Sequence, residues 1–271
     1  MPRPKRIHVV GSSPRSGTTL AFELLTSCFD IDKFGKHEIS LFEYPKEASA
    51  NYASKKPTDL IHVKRLLAWD KKMHCLYMDR DPRDIVVSQH GSRIGEYWCD
   101  FPQWRRNERL IAHLRDHPRI HICRYEDLVM NPDHEQDLIL ARFPFLAKVH
   151  SFSNFEKVSQ SSEAAQKALK GVRKISAKSV GTWRSDLPRV AAQLRAHPDM
   201  AEAVVAAGYA KDTSWTTACD GVDPDEAQSI RAQYAALRNK RGGALVWGRV
   251  QRRLRSFAQE ARYALRNSLY R

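Results

Sequence analysis

The feature that most constrains the fold is a short apolar run that ends in a glycine-containing loop and continues into a helix. The run Arg6-Ile-His-Val-Val10 is rich in β-branched residues and stops at Gly11, which predicts a buried strand. The loop Gly11-Ser-Ser-Pro-Arg-Ser-Gly-Thr-Thr19 follows. From Thr18 to Phe29 the apolar residues recur at helical spacing, so a helix should begin directly after the loop. This order predicts an anion-binding loop at a helix N-terminus.

Further apolar runs alternate with helical patterns along the chain. Strands are predicted at Leu60-Ile-His-Val63, Cys75-Leu-Tyr-Met78 and Arg119-Ile-His-Ile-Cys123. Helical patterns lie at about residues 83–90, 105–116 and 133–141. The alternation predicts a P-loop-like three-layer α/β domain with a central parallel sheet. Such sheets bind ligands at the carboxyl ends of their strands.

The last third of the chain has a different character. Residues 150–182 are polar and weakly periodic, which predicts a loop or lid that contains one helix. A single helix is predicted from Ser185 to about Ala207, with Gly208 just after its end. We therefore expect a domain over residues 1–220 and a basic helical tail over 221–271, with helices at 225–241 and 244–270.

The positive charge is concentrated in this tail. Residues 225–271 carry eleven Lys or Arg and three Asp or Glu, which is +8 of the chain's net charge of +14. From Val246 to Leu269, apolar residues recur at steps of three or four with arginines between them, so the pattern predicts a strongly amphipathic helix. Three hypotheses stay open for residues 244–270: packing on the domain or on a second copy in a homodimer, contact with an anionic membrane surface, and binding of an acidic acceptor.

Several classes of protein are disfavoured by composition. The five cysteines are scattered without any CxxC pair, so neither a disulfide framework nor a zinc site is expected, and Cys75 and Cys123 should be core residues. No apolar run approaches the roughly 18 to 20 residues of a membrane span, and no signal-peptide pattern follows the basic N-terminus. We expect a cytoplasmic protein, peripheral at the inner membrane face if the tail binds lipid.

The first loop differs from better-known phosphate loops. A Walker A loop would end in Gly-Lys-Ser/Thr, whereas here Thr18 follows the glycine and the cation is Arg15. The dinucleotide fingerprint GxGxxG is absent as well. The segment Pro14-Arg-Ser-Gly-Thr-Thr-Leu20 instead resembles the 5′-phosphosulfate loop of sulfotransferases that use 3′-phosphoadenosine 5′-phosphosulfate (PAPS), closest to the carbohydrate and tyrosylprotein branches. The resemblance implies that Arg15, Ser16, Gly17, Thr18 and Thr19 bind the phosphosulfate.

Three later segments resemble the same family in the same order. Cys75-Leu-Tyr-Met-Asp-Arg-Asp-Pro-Arg-Asp-Ile-Val-Val-Ser88 is similar to its 3′-phosphate segment, which implies that Arg80 and Ser88, the latter on the following helix, clamp that phosphate. Arg124-Tyr-Glu-Asp-Leu128 resembles a segment whose tyrosine, here Tyr125, lies near the adenine. Residues 173–183 look like the segment that closes over the nucleotide, with Arg173 reaching the phosphates. The resemblance spans about residues 5–215.

The reaction that the resemblance implies is sulfuryl transfer from PAPS to a hydroxyl of an acceptor, for which we expect a glycan or a lipid-linked sugar. A base must take the hydroxyl proton, and cations must stabilise the leaving nucleotide. The resemblance favours Glu38 as the base over its rival His37, and Arg15 and Lys64, at the end of the second predicted strand, would assist the leaving group. No metal is required.

Other functions remain open. A P-loop phosphoryl transferase with a displaced loop cation would use Mg²⁺ and a triphosphate. The sequence pI of about 9.7 suggests a nucleic-acid-binding or membrane-binding protein without catalysis, but no nucleic-acid reader motif is present, and no nucleic-acid partner is expected. A PAPS-binding regulator without turnover would keep the same nucleotide site.

Overall fold

A computed structural model of the 271-residue chain describes residues 3–45, 47–90, 93–159, 174–234 and 257–265. Its strands are β1 (Lys5–Gly11), β2 (Lys33–Glu38), β3 (Asn51–Lys55), β4 (Met73–Asp79), β5 (Gln89–His90), β6 (Arg93–Tyr97) and β7 (Ile120–Arg124). Five strands form a parallel sheet in the order β2-β3-β1-β4-β7, while β5 and β6 form a separate antiparallel pair.

Helices lie between the strands and after them. They are α1 (Thr18–Cys28), α2 (Leu60–Trp69), α3 (Pro82–Val86), α4 (Phe101–Ala112), α5 (Tyr125–Met130), α6 (Pro132–Arg142), α7 (Phe155–Val158), α8 (Leu187–Ala196) and α9 (Met200–Ala206). Residues 230–234 and 257–265 are helical too. Within the described ranges, no helix combines the length and the apolar character needed to cross a membrane.

Both faces of the sheet are covered, as predicted for a three-layer α/β domain. Alternate side chains of β1 point to opposite faces: Ile7 packs with residues of α1, α5 and α6, whereas Val10 packs with residues of α2 and α4. Cys75 and Cys123 are fully buried in these clusters. The predicted fold class is therefore confirmed, together with the predicted strands at β1, β4 and β7 and the helix α1.

The predicted strand at residues 60–63 is wrong, because these residues begin α2. Leu60, Val63, Leu66 and Leu67 are buried on one side of that helix, so the apolar period is helical when the window is extended. The second strand along the chain is β2 and the third is β3, neither of which was predicted. Their sequences, Lys-Phe-Gly-Lys-His-Glu and Asn-Tyr-Ala-Ser-Lys, contain no apolar run.

The predicted helix over residues 185–207 is two helices rather than one. Helix α8 ends at Ala196 and α9 begins at Met200, with His197 and Pro198 between them. Proline lacks an N–H group and disfavours the α conformation of the residue before it, and His197 has φ −142° and ψ 75°. Gly208 has φ +76°, as suits the glycine predicted after a helix end.

The predicted loop at 150–182 contains α7, and residues 160–173 lie outside the described part. Of the predicted tail helices, only 230–234 and 257–265 are described, and both are helical. The segment between the domain and residues 230–234 packs closely on the domain. Asp225 N donates to Pro188 O at 3.0 Å, and Ser229 Oγ donates to Asp100 Oδ2 at 2.5 Å. Ile230 is buried.

Candidate functional site at the carboxyl edge of the sheet

The loop after β1 folds tightly against the start of α1. A Cβ on Gly11 would lie 2.2 Å from Ser16 Oγ, so the loop crosses itself where only glycine fits. Gly17, the residue before α1, has φ +95°. Ser16 Oγ donates to Ser13 O at 2.8 Å, and Asn107 of α4 donates to Ser12 O at 2.9 Å. These contacts hold the loop at the carboxyl edge of the sheet, with the N-terminus of α1 beneath it.

Arg15 lies at the tip of this loop. Of the described residues, it is the one non-glycine residue with positive φ, at +82°. This left-handed backbone is unfavourable for arginine and needs support from surrounding contacts. The side chain reaches across to the segment after β4, where its Nε donates to Ser88 Oγ at 2.9 Å. Ser88 follows α3, which ends at Val86, so its predicted position on that helix is wrong by two residues.

Arg80 comes directly after β4 and joins the same cluster. Its Nη1 donates to Arg15 O at 2.8 Å, and its Nη2 donates to Ser179 O at 2.5 Å. Its guanidinium lies over the ring of Tyr125, 4.5 Å from the centroid. Tyr125, the first residue of α5, also contacts the first loop, since a Cβ on Gly17 would lie 2.6 Å from its Cδ2. Three chain segments therefore converge at one place.

The two arginines leave this place positively charged. Arg15 lies at the rim, partly open to solvent and partly enclosed by protein. That enclosure, and then the charge of Arg80, lower the pKa of Arg15. The carboxylate nearest the Arg80 guanidinium is that of Asp84, at 3.9 Å. Two neighbouring cations facing carbonyl and hydroxyl oxygens form a site that favours an anion with several oxygens.

The carboxylate of Asp84 is hydrogen-bonded to residues 181–183. Its carboxylate accepts hydrogen bonds from the backbone N–H groups of Gly181, at 2.8 Å, and Trp183, at 2.9 Å, and from Thr182 Oγ1 at 3.1 Å. Together with the bond from Arg80 to Ser179, these contacts attach residues 179–183 to the segment after β4. Arg173, predicted to reach the phosphates, lies outside the described residues.

Lys55 and Glu38 lie at the other side of the loop, at the ends of β3 and β2. Glu38, the last residue of β2, pairs in register with Lys55, the last residue of β3, and is exposed. Lys55 is buried and its Nζ donates to Thr19 Oγ1 at 2.9 Å. Burial lowers the pKa of Lys55 more than the nearby Glu38 and Glu23 raise it. A cation and a carboxylate thus lie beside the N-terminus of α1.

Lys64, expected at the end of the second strand, is an exposed residue of α2, so its predicted position is wrong. The lysine at a strand end is Lys55, which sequence reasoning missed because the polar strand β3 gave no apolar signal. His37 belongs to β2, but its side chain lies outside the described part of the structure. Thr18 is buried at the start of α1.

A buried carboxyl, Asp79, and a half-buried one, Glu126, lie near Arg80. Asp79 accepts a hydrogen bond from the Arg80 backbone N–H at 2.9 Å, and Glu126 accepts one from Asp81 N at 3.0 Å. Burial raises the pKa of Asp79 to about 7, with a further contribution from Glu108, and burial raises the pKa of Glu126 to about 7. Both groups thus titrate near neutrality.

In the ranges that the structure describes, no group of three or more His, Cys, Asp or Glu side chains could hold a metal ion. What converges at the carboxyl edge is instead a strained loop arginine, a second arginine on a tyrosine ring, a buried lysine and an exposed glutamate. Comparison of the chain with models of protein families and with curated proteins found no match to either.

Proposed function

We propose that this protein transfers a sulfuryl group from PAPS to a hydroxyl group of an acceptor. The observation that supports this most is the convergence of Arg15, Arg80, Ser88 and Tyr125. These residues come from three separate segments, and each segment resembles a nucleotide-binding segment of PAPS-dependent sulfotransferases. Their contact supports the resemblance because chance similarities in sequence would have no reason to meet in space.

Each residue has a binding role that its chemistry suits. The N–H groups from Ser16 to Thr19 lie at the start of α1, where the helix dipole favours the 5′-phosphosulfate. Arg80 offers a planar set of donors that matches phosphate oxygens, and Ser88 can donate its hydroxyl to the same 3′-phosphate. Tyr125 provides an aromatic surface near the adenine.

In the proposed reaction, Glu38 accepts the proton of the acceptor hydroxyl while that oxygen attacks the sulfur. A new O–S bond forms as the bond between sulfur and the 5′-phosphate oxygen breaks, and the electron pair of that bond leaves with 3′-phosphoadenosine 5′-phosphate (PAP). Lys55 and Arg15 stabilise the charge that develops on the leaving oxygen. Lys55 takes the role first expected of Lys64, since its ammonium contacts Thr19. His37 remains the rival base.

The acceptor class rests on the resemblance to the carbohydrate branch, which favours a glycan or a lipid-linked sugar. The exposed position of Glu38 leaves room for a large acceptor at the edge of the sheet.

Isothermal titration with PAP, with AMP as the analogue lacking the 3′-phosphate, tests the nucleotide site directly. We expect PAP to bind about 10- to 100-fold more tightly than AMP, because Arg80 and Ser88 would form charge-assisted hydrogen bonds with the additional phosphate. ATP and NADH should bind weakly. Equal affinity for PAP and AMP in a folded sample would contradict the proposal. Tight PAP binding would justify assays with labelled PAPS and hydroxyl acceptors.

A further inference from the structure

The tail helix, residues 257–265, is attached to the domain through polar side chains. Glu260 is 1% exposed and accepts hydrogen bonds from His62 Nδ1 at 3.0 Å and Arg65 Nη1 at 2.8 Å. Burial alone would raise the pKa of Glu260, but the bonds from Arg65 and His62 outweigh it and lower the pKa. Tyr263 is buried, and its hydroxyl bonds to the side chains of Arg6 and Asp70. These contacts determine which side of the helix faces the domain.

The apolar stripe of the same helix is largely exposed to solvent. Phe257 is 55% exposed and Leu265 is 66% exposed, and Ala261 between them is exposed as well. Residues four apart share one side of a helix, so these three form a continuous apolar strip. They belong to the stripe recognised from Val246 to Leu269 in the sequence. The hypothesis that this stripe packs on the domain is therefore wrong for residues 257–265.

The neighbouring face of α2 extends the exposed apolar surface. Ile61 is 48% exposed and Trp69 is 40% exposed, and both are four residues from Arg65 on the same side of α2. Arg65 contacts the tail helix twice, through its bond to Glu260 and through its guanidinium, 5.2 Å from the centre of the Phe257 ring. Trp is a side chain that suits the boundary between water and lipid.

Charge decides which partner fits this surface. The segment 225–271 carries eleven Lys or Arg against three Asp or Glu, and Arg262 is exposed beside the strip. A second copy of the chain would bring the same positive charge to the contact. A nucleic acid would pair with the arginines but leave Phe257 and Leu265 in water. An anionic lipid surface accepts both, since headgroups pair with arginine and the acyl boundary takes apolar side chains.

We propose that the tail helix and the adjoining face of α2 bind the surface of an anionic membrane, with Phe257 and Leu265 inserted at the acyl boundary. The contacts of Glu260 and Tyr263 hold this surface on the domain, so that the domain binds with its α2 side toward the lipid. The inference does not depend on the proposed reaction at the carboxyl edge.

The test is co-sedimentation of the intact chain with vesicles of phosphatidylcholine, alone or mixed with phosphatidylglycerol. The test variant is Phe257→Ser with Leu265→Ser. The matched control is Met130→Ser with Leu138→Ser, since these residues of α5 and α6 are 63% and 42% exposed. We expect wild type and control to bind the mixed vesicles equally, with partitioning that falls as salt is added, and the test variant to partition about tenfold less. Because all four side chains are exposed, the fold and PAP binding should not change.

Equal partitioning by the test variant and the wild type would overturn the proposal, as would equal binding to the two kinds of vesicle. Sedimentation velocity tests the alternative that the strip binds a second copy of the chain. A wild-type dimer that dissociates in the test variant would assign the strip to self-association and would also overturn the proposal.

Discussion

The two ends of the central sheet each hold a buried arginine, and the two differ in what surrounds the charge. At the amino end, Arg6 lies 3.4 Å from the Asp70 carboxylate and over the Tyr44 ring, and donates to Leu41 O and Glu43 O. Burial alone would lower the pKa of Arg6, but Tyr263, Tyr44 and Asp70 raise it above the usual value.

At the carboxyl edge, the guanidinium of Arg80 has its nearest carboxylate, Asp84, at 3.9 Å and lies beside a second cation, Arg15. The pKa of Arg15 is lowered, by partial enclosure and then by Arg80. An arginine whose charge is matched inside the protein stabilises the fold, whereas two adjacent arginines facing neutral oxygens repel each other until an anion binds. The comparison predicts that changes at the amino end affect stability, and that changes at the carboxyl edge affect binding and turnover.

The largest effect is expected for Glu38→Gln. Removal of a general base slows the chemical step by about 10²- to 10⁴-fold, while PAP affinity and the free energy of unfolding should stay unchanged because Glu38 is exposed. The measurement is the rate of sulfate transfer from labelled PAPS. Glu47→Gln, at another exposed glutamate, is the control and should keep full turnover. Undiminished turnover in Glu38→Gln would remove Glu38 as the base and turn attention to His37.

The next effect is a loss of stability in Arg6→Ala. This change leaves the buried carboxylate of Asp70 without its buried cationic partner and should lower the free energy of unfolding by about 3–5 kcal/mol, as measured by urea denaturation. Arg3→Ala is the matched control, because Arg3 lies 3.9 Å from the same carboxylate but its side chain is 20% exposed, so about 1 kcal/mol or less is expected. A large loss of PAP affinity in folded Arg6→Ala would break the comparison between the two ends.

Arg80→Ala should act mainly on binding. Loss of charge-assisted hydrogen bonds to the 3′-phosphate should weaken PAP binding by roughly 1.5–2.7 kcal/mol, or about 10- to 100-fold, in isothermal titration. Arg80→Lys keeps the charge but not the planar set of donors, so its affinity for PAP should lie between those of the wild type and Arg80→Ala. If the alanine variant loses as much stability as Arg6→Ala and no PAP affinity, Arg80 is a structural arginine like Arg6.

The smallest expected effect is on the pH dependence of stability, through the half-buried carboxyl of Glu126 near Arg80. Because the pKa of Glu126 is raised from 4.5 to about 7 by burial, the unfolded chain releases this proton at lower pH than the folded protein does. The contribution of Glu126 to stability is therefore fully present below about pH 4.5 and is lost as the pH rises through about 7. Glu126→Gln should reduce this decline, by at most about 1.4 kcal/mol per pH unit. Urea denaturation across this range is the measurement, and an unchanged slope would show that Glu126 does not titrate there.

Much of the candidate site could be anticipated from local patterns and from the resemblance. Apolar runs predicted β1, β4 and β7. Arg80 and Tyr125 directly follow β4 and β7, and Arg15 lies in the loop after β1. Lys55 could not be found in this way. It ends a strand whose buried polar side chains are satisfied by distant partners: His8 hydrogen-bonds with Ser54, and Asn51 donates to Asp30. Such a strand has no hydrophobic period.

The sequence alone determined the strands β1, β4 and β7, the glycine loop before α1 and the amphipathic pattern of the tail, because each is encoded by residues that are neighbours in the chain. Only the tertiary structure decided that Lys55 rather than Lys64 lies beside the loop, and that Glu260 and Tyr263, not the apolar stripe, attach the tail helix to the domain. Both outcomes depend on partners far along the chain, Glu38 and Thr19 in one case and His62, Asp70 and Arg6 in the other. An amphipathic pattern shows that a helix has two faces, but the contacts that bury one of them exist only once the chain has folded.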